Sequence, residues 1–139
     1  MQPPVTIPRR HRALPSPGVL RGLTALVWLY QGVWLKLLLA SKDQVAVVAA
    51  VPGFSGPAAG AAIAAIGVIE AAVALWVLSG LRPVAAALFQ TALLLGMNAA
   101  GIIFAQHEIH DPAGMAIGNL AFLGLAWCAA ASRVEEADS

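Results

Sequence analysis

Residues 56–80 read GPAAGAAIAAIGVIEAAVALWVLSG, a run of small and aliphatic side chains with one carboxylate, Glu70, near its middle. A helix needs roughly 20 apolar residues to cross the hydrocarbon core of a bilayer, so this stretch is long enough to span one. An ionised carboxylate at the bilayer centre costs about 2.5 kcal/mol or more, and such a residue therefore faces a partner, a cavity or water. We expect Glu70 to mark the functional site of the protein.

The composition is that of an integral membrane protein. Of the 139 residues, 60% are hydrophobic and 11% are charged, whereas soluble domains average about 25% charged residues. Between Gln44 and Gln106 the only charged side chains are Glu70 and Arg82. The expected partner is therefore the lipid bilayer, and no nucleic-acid partner is expected. The single cysteine, Cys128, excludes an intramolecular disulfide and a Cys-x-x-Cys redox pair.

Four hydrophobic runs predict four helices, at about residues 20–40, 56–79, 83–106 and 112–132. The predicted fold class is all-α, a four-helix transmembrane bundle formed by one membrane domain, residues 19–133. Residues 1–18 contain five prolines and a cluster of basic side chains, and we interpret them as a disordered tail. Residues 134–139 form an acidic tail. The apolar stretch 45–51 ends in Pro-Gly and is predicted to be interfacial or re-entrant rather than a free loop.

The distribution of lysine and arginine predicts the orientation. Arg21, Arg82, Arg133 and the arginines of the N-terminal tail flank one side of the helices, whereas the opposite side has only Lys42. Because basic residues in short flanking segments stay on the cytoplasmic side, both termini are predicted to be cytoplasmic. The expected location is the cell membrane, as a multi-pass inner-membrane protein.

The predicted helices carry polar side chains that periodicity allows to point toward one another. Counted from the cytoplasmic side, Glu70, Asn119, Asn98 and Lys36 lie at roughly 15 to 24 Å, in the outer half of the bilayer, and Gln90 lies at about 10 Å. We expect Glu70 to pair with Lys36 or with an asparagine, although an axial offset of about 9 Å to Lys36 is long for a direct contact. Other interpretations remain open: the amides serve as interhelical hydrogen-bonding groups, or Lys36 extends to the outer interface.

The segment between the third and fourth helices contains His107 and His110 beside two acidic residues. These side chains are compatible with metal binding, but their close spacing in a short loop gives no set geometry, and no metal site is predicted. The segment is interpreted as a hydrated interfacial loop. The alternative is that one histidine carries protons at the mouth of the site, because histidine titrates near neutral pH.

Several short strings together resemble a known family. They are WLYQGVWLK at 28–36, VPG at 51–53, GVIE at 67–70, GMN at 96–98, DPAG at 111–114 and NL at 119–120. The chain resembles the DoxX-like integral membrane proteins from about residue 20 to residue 131, and Gly-x-x-x-Lys and Gly-x-x-Glu are the more specific parts. The resemblance implies a four-helix transmembrane bundle. Members of the family are associated with quinone-reducing sulfur oxidation and with membrane redox assemblies.

The leading prediction is a small membrane subunit that binds a lipophilic molecule, with a quinone as the suggested ligand. The candidates for ligand binding or proton transfer are Glu70, Lys36, Asn98, Asn119, Tyr30, His107 and His110. No cofactor motif is evident, so the electrons for a redox role would come from a membrane or peripheral oxidoreductase partner. Two alternatives remain: a small proton-coupled transporter, in which the membrane-embedded Glu exchanges protons for a cation, and a structural scaffold subunit. The patterns identify neither a catalytic set nor the ligand.

Overall fold

The computed structural model describes residues 15–137, and within that range all regular structure is helical, which confirms the predicted all-α class. The helices are α1 (Pro17–Leu29), a π-helical segment (Tyr30–Leu38), α2 (Lys42–Ala49), α3 (Pro57–Ser79), α4 (Pro83–Phe104) and α5 (Pro112–Ala137), with a 3-10 turn at Gln106–Glu108. In the described part of the chain, α3, α4 and α5 are long and apolar enough to cross a membrane. A fourth span is added if Pro17–Leu38 and Lys42–Ala49 form one broken span.

The first helical stretch differs from the uniform helix expected over residues 20–40. It begins at Pro17, where the Ser16 hydroxyl accepts a hydrogen bond from the amide of Val19, so the helix starts inside the predicted tail of residues 1–18. Residues 1–14 lie outside the described residues. From Tyr30 to Leu38 the winding widens to the π form, in which each amide bonds the carbonyl five residues earlier. π-helical segments are rare in proteins, and many of those that occur lie at functional sites.

The apolar stretch 45–51 belongs to a short helix, α2. The axis of α2 is bent by 87° from that of the preceding helix, so it runs nearly perpendicular to it. The chain changes direction at Ala40, which has a left-handed backbone (φ 44°). The structure therefore agrees with the expectation that this stretch is not a free loop.

The remaining helix ends follow from local sequence. α3 ends at Ser79 and is capped by Gly80, which has a positive φ of 66°, and α4 begins with Pro83 at its first position. α5 begins after Asp111, whose Oδ1 accepts a hydrogen bond of 2.8 Å from the amide of Gly114. α5 continues to Ala137 rather than ending near residue 132, so Glu135 and Glu136, predicted to lie in a tail, are helical.

The long helices pack in the order α3, α1, α5, α4. Contact is extensive between α1 and α3, between α1 and α5 and between α4 and α5, whereas α3 and α4 touch only sparsely. The solid part of the core lies toward the end where α3 turns into α4, and it centres on Trp28, Val73 and Leu94. The indole of Trp28 meets the ring of Phe122 edge to face, with centroids 5.5 Å apart. The other half of the bundle is less densely filled, and it holds the candidate site.

Candidate functional site

The site is built on a close antiparallel contact between the π-helical segment and α3. A Cβ on Gly32 would lie 2.7 Å from both the Cβ of Glu70 and the carbonyl oxygen of Gly67, and a Cβ on Gly67 would lie 2.9 Å from the carbonyl oxygen of Gly32. These distances leave no room for any side chain on either residue. The two glycines thus bring the backbones together one turn from Glu70 and fix the register of the two helices.

Glu70 and Lys36 form a buried ion pair across this contact. The Nζ atom of Lys36 lies 2.9 Å from Oε1 and 2.8 Å from Oε2 of Glu70, and it also donates a long hydrogen bond of 3.4 Å to the carbonyl oxygen of Gln31. The Glu70 side chain is 1% exposed and the Lys36 side chain is 9% exposed. Of the two partners expected for Glu70, the structure therefore selects Lys36.

The direction of the two side chains explains how they meet despite the offset between their helix positions. Side chains on a helix lean toward the N-terminus of that helix. Because the first helix and α3 are antiparallel, Lys36 leans back toward the level of Glu70, and Glu70 leans toward the level of Lys36. Two long side chains that lean toward each other cover an offset that their backbones do not.

A second polar pair lies across the same half of the bundle. The Nδ2 atom of Asn119 on α5 donates a hydrogen bond of 2.7 Å to the Oδ1 atom of Asn98 on α4. Whichever way the two amide groups are turned, the pair keeps at least one N–H donor and one oxygen acceptor that bond no other described residue. The asparagines link α4 to α5 and still have hydrogen-bonding capacity to spare.

Both polar pairs line one cavity of about 790 Å³. Its floor is formed by Trp28, Leu94 and Phe122 at the edge of the solid core. The walls are mainly apolar, and they include Val27, Ala62, Ile63, Ile66, Met97, Ala100, Gly101, Met115 and Gly118. The cavity therefore combines a large apolar surface with a few polar groups, as small-molecule sites usually do.

The helix α2 and the segment after α4 form the outer boundary of the cavity. From α2 and the residues after it, Val47, Val48, Val51 and Phe54 contribute apolar side chains. Asp43, Gln44 and Glu108 place polar groups at the same level. The Oε1 atom of Gln44 is buried and has no hydrogen-bond partner among the described residues. This boundary thus adds three further polar side chains to the cavity lining.

The other predicted site residues lie away from this cavity. The side chain of Tyr30 is 53% exposed, and His107 and His110 are exposed in the segment after α4. None of the three is among the residues that line the cavity. Their roles in ligand binding or proton transfer stay predictions. Within residues 15–137, no three His, Cys, Asp or Glu side chains converge on a point that could hold a metal ion.

Gln90 has a structural role, as the interhelical interpretation expected. Its Oε1 atom accepts a hydrogen bond of 2.8 Å from the indole nitrogen of Trp28, and its Nε2 atom donates to the carbonyl oxygen of Ala86. Both Trp28 and Gln90 are almost fully buried. The bond ties α1 to α4 below the floor of the cavity.

Gln31 lines the cavity and was missed by the sequence reasoning. It precedes Lys36 by five residues, a spacing that puts two residues on different faces of an α-helix. In a π-helix the same spacing places them one turn apart. The only signal in the sequence was its place in the family-like string at 28–36. The cavity-lining residues of α2 were also missed, because nothing local indicates which way a short interfacial helix faces.

The family comparison covers the whole site. The sequence profile of the DoxX-like family matches residues 25–127, a range that includes both polar pairs, α2 and the two close-packed glycines. Among curated proteins and solved structures, no match to the chain is found. The match spans well over half of the 139 residues. The chain is a small integral membrane protein and belongs to the DoxX-like family.

Proposed function

We propose that this protein binds a neutral amphiphilic molecule of the quinone class in the cavity beside Glu70, Lys36, Asn98 and Asn119. The observation that carries the proposal is a cavity of about 790 Å³ with mainly apolar walls, a buried ion pair and a partly buried pair of asparagines. This volume lies in the range of roughly 300 to 1,000 Å³ that is typical of small-molecule sites. A purely structural bundle has no need of so large a space.

The ion pair favours a ligand without net charge. Lys36 bonds both carboxylate oxygens of Glu70, so the charges of these two side chains cancel. A charged ligand would have to break this pair and leave one of its members without a partner, which costs about 3 to 5 kcal/mol for a buried pair. The same argument counts against a transporter in which Glu70 exchanges protons for a cation, since that mechanism needs an unpaired carboxylate.

The polar groups that remain suit a ring with oxygen acceptors. The amide pair of Asn98 and Asn119 keeps a free N–H donor, and the third N–H of Lys36 makes only the long bond of 3.4 Å to the backbone of Gln31. A quinone has carbonyl oxygens on opposite sides of its ring, and these can accept from donors on opposite walls. The apolar walls then surround the ring and the first part of its tail.

The sparse contact between α3 and α4 gives the apolar tail a path to the bilayer. Ile66 of α3 and Met97 of α4 both line the cavity, and these two helices pack only sparsely against each other. A tail that leaves between them would lie in lipid while the ring stays near the ion pair. If the ligand is a quinone, the electrons that reduce it come from a membrane or peripheral oxidoreductase associated with this chain.

The proposal includes a topology with four spans, both termini in the cytoplasm, and a location in the cell membrane, the inner membrane. The arginines at one end of the bundle support it, because basic residues favour the cytoplasmic side. Ser55 precedes the first residue of α3 and Ser79 is its last residue. Single cysteines are introduced at these two positions, Ser55→Cys or Ser79→Cys, in a Cys128→Ala background. A membrane-impermeant maleimide added to intact cells is expected to label only the cysteine at position 55. Labelling of only the cysteine at position 79 would refute the orientation.

The test of ligand binding uses a variant that fills the cavity and a neighbour that does not. Ala100 lines the cavity, whereas Ala99 is exposed on the outer face of the same helix. Ala100→Phe puts a ring into the ligand space, and Ala99→Phe puts the same ring into lipid. Native mass spectrometry with extraction of bound lipophilic molecules is run on wild type, both alanine variants and Glu70→Gln, and a short-chain quinone analogue is added in a parallel series.

We expect wild type and Ala99→Phe to retain a lipophilic molecule or bind the quinone analogue, and Ala100→Phe to lose it while keeping its helical circular dichroism. Loss in a folded Glu70→Gln protein would place the polar end of the ligand at the ion pair. If wild type binds nothing, or if the two alanine variants behave alike, the binding proposal is wrong. Proton-coupled transport would then be tested before a scaffold role is accepted.

A further inference from the structure

The end of the bundle opposite α2 carries a second cluster of polar groups, one that the cavity does not use. All the arginines among residues 15–137 lie there: Arg21 on the second turn of α1, Arg82 between α3 and α4, and Arg133 near the end of α5. Trp76 lies at the same level and donates a hydrogen bond of 2.8 Å to the carbonyl oxygen of Leu81. Tryptophan and arginine together are typical of the interface between lipid and water.

Two of these arginines meet over Gly80. A Cβ on Gly80 would fall on the Nη1 atom of Arg21, and it would lie 3.3 Å from the Cζ atom of Arg21 and 3.4 Å from the Nε atom of Arg133. The two guanidinium groups are thus within about 7 Å of each other. Like charges at this distance repel, so the arrangement favours an anion that both groups can bind.

The two acidic side chains described at this end, Glu135 and Glu136, do not supply that anion to Arg21. Arg133 Nη1 lies 2.7 Å from Oε2 of Glu136, and Glu135, two residues after Arg133, is exposed. Within the described residues Arg21 makes no hydrogen bond or ion pair, and its Nε atom is buried without a partner. Buried donors in native proteins are almost always satisfied, so an orphaned guanidinium nitrogen points to a group that binds there.

We propose that Arg21 and Arg133 bind the phosphate of an anionic phospholipid headgroup in the groove at Gly80. Guanidinium groups bind phosphate oxygens through paired, charge-assisted hydrogen bonds. The small cavity beside Arg21, lined also by Trp76, Gly80 and Pro83, has a volume of about 20 Å³. That is room for one oxygen atom rather than for a whole anion, so the headgroup lies at the mouth of the groove and the acyl chains lie in the bilayer.

The experiment compares Arg21→Gln with Arg82→Gln, which removes the same charge from the same end of the bundle but from a residue that is not among those found next to Gly80. Purified protein is exchanged into nanodiscs of phosphatidylcholine and phosphatidylglycerol, released, and analysed by native mass spectrometry for the lipid that stays bound. We expect wild type and Arg82→Gln to retain phosphatidylglycerol preferentially. Arg21→Gln should lower that preference about fivefold, which corresponds to the roughly 1 kcal/mol that one arginine contributes near an anionic surface.

Three results would overturn the proposal. Equal retention of the two lipids by wild type would show that no anionic headgroup is selected. This comparison does not depend on whether the variants fold. Equal loss in Arg21→Gln and Arg82→Gln would assign the preference to the overall charge of the surface. Binding of inorganic phosphate by delipidated wild type, without any preference between the lipids, would identify a free anion as the ligand.

Discussion

Changing Lys36 alone should destabilise the protein strongly, whereas changing Lys36 and Glu70 together should change its stability little. Lys36→Met leaves Glu70, which is 1% exposed, with no other hydrogen-bond donor among the described residues. Loss of one member of a buried pair costs about 3 to 5 kcal/mol, because the remaining charge is left buried and uncompensated. We expect Lys36→Met to lower the free energy of unfolding by an amount in this range.

Glu70→Leu should be less destabilising than Lys36→Met. Lys36 is 9% exposed, it already reaches the carbonyl oxygen of Gln31, and it faces the cavity. The double variant has no charge to bury, and replacement of a buried pair by apolar residues of similar volume is often neutral or stabilising. The free energy of unfolding of the double variant should therefore lie within about 1 kcal/mol of the wild-type value. The coupling energy between Lys36 and Glu70 is then about 3 kcal/mol or more.

Equilibrium unfolding with sodium dodecyl sulfate in mixed micelles, followed by circular dichroism, measures the four free energies of unfolding. The pair Arg133 and Glu136 provides a matched control, since its side chains are 37% and 53% exposed and lie 2.7 Å apart. An exposed pair of this kind contributes at most about 1 kcal/mol. Additive effects of Lys36→Met and Glu70→Leu, or equal coupling energies in the two pairs, would show that Lys36 and Glu70 do not form a buried, strongly coupled ion pair.

Three further predictions follow from single contacts, each measured in the same unfolding assay. Gly32→Ala should destabilise the protein by more than about 2 kcal/mol, because the added Cβ would meet the backbone of α3. Gly96 has open space around it, so Gly96→Ala should stabilise the protein by up to about 1 kcal/mol. Equal effects of the two substitutions would contradict the close contact at Gly32. Trp28→Phe leaves the Oε1 atom of Gln90 unsatisfied and should lower the free energy of unfolding by about 1 to 3 kcal/mol. No loss of stability would mean that another donor replaces the indole at Gln90. Asp111→Ala removes the cap of α5 and should cost about 1 kcal/mol, while Asp111→Asn should restore most of it.

The overall plan of the protein was accessible from the sequence because it depends on local quantities. The length of the apolar runs predicts the long helices, and glycine and proline at 80 and 83 predict the turn between α3 and α4. Glu70 stood out as a site residue because a carboxylate in an apolar run is costly wherever the helix lies. Helix ends were less accurate: α5 extends past Ser132, since the ion pair between Arg133 and Glu136 supports another turn.

The internal geometry of the site depends on the relation between helices, which no single stretch encodes. The choice of Lys36 over an asparagine as the partner of Glu70 follows from antiparallel register and from the direction in which both side chains lean. The π-helical winding, which brings Gln31 beside Lys36, occurs where Gly32 packs closely against Gly67, a contact between helices that no local pattern reveals. Tyr30 and the two histidines had suitable chemistry, but the packing leaves them outside the cavity.

By itself, then, the sequence determined a helical membrane protein with a costly charge inside it, because hydrophobic length and charge are properties of the chain. The tertiary structure decided that this charge is neutralised by Lys36, that two asparagines meet across the same space, and that α2 lies across its outer end. It also decided that Arg21 has no partner within the described residues. The physical reason is that distances of 3 Å between side chains depend on helix register, winding and tilt, which are fixed only when the helices pack.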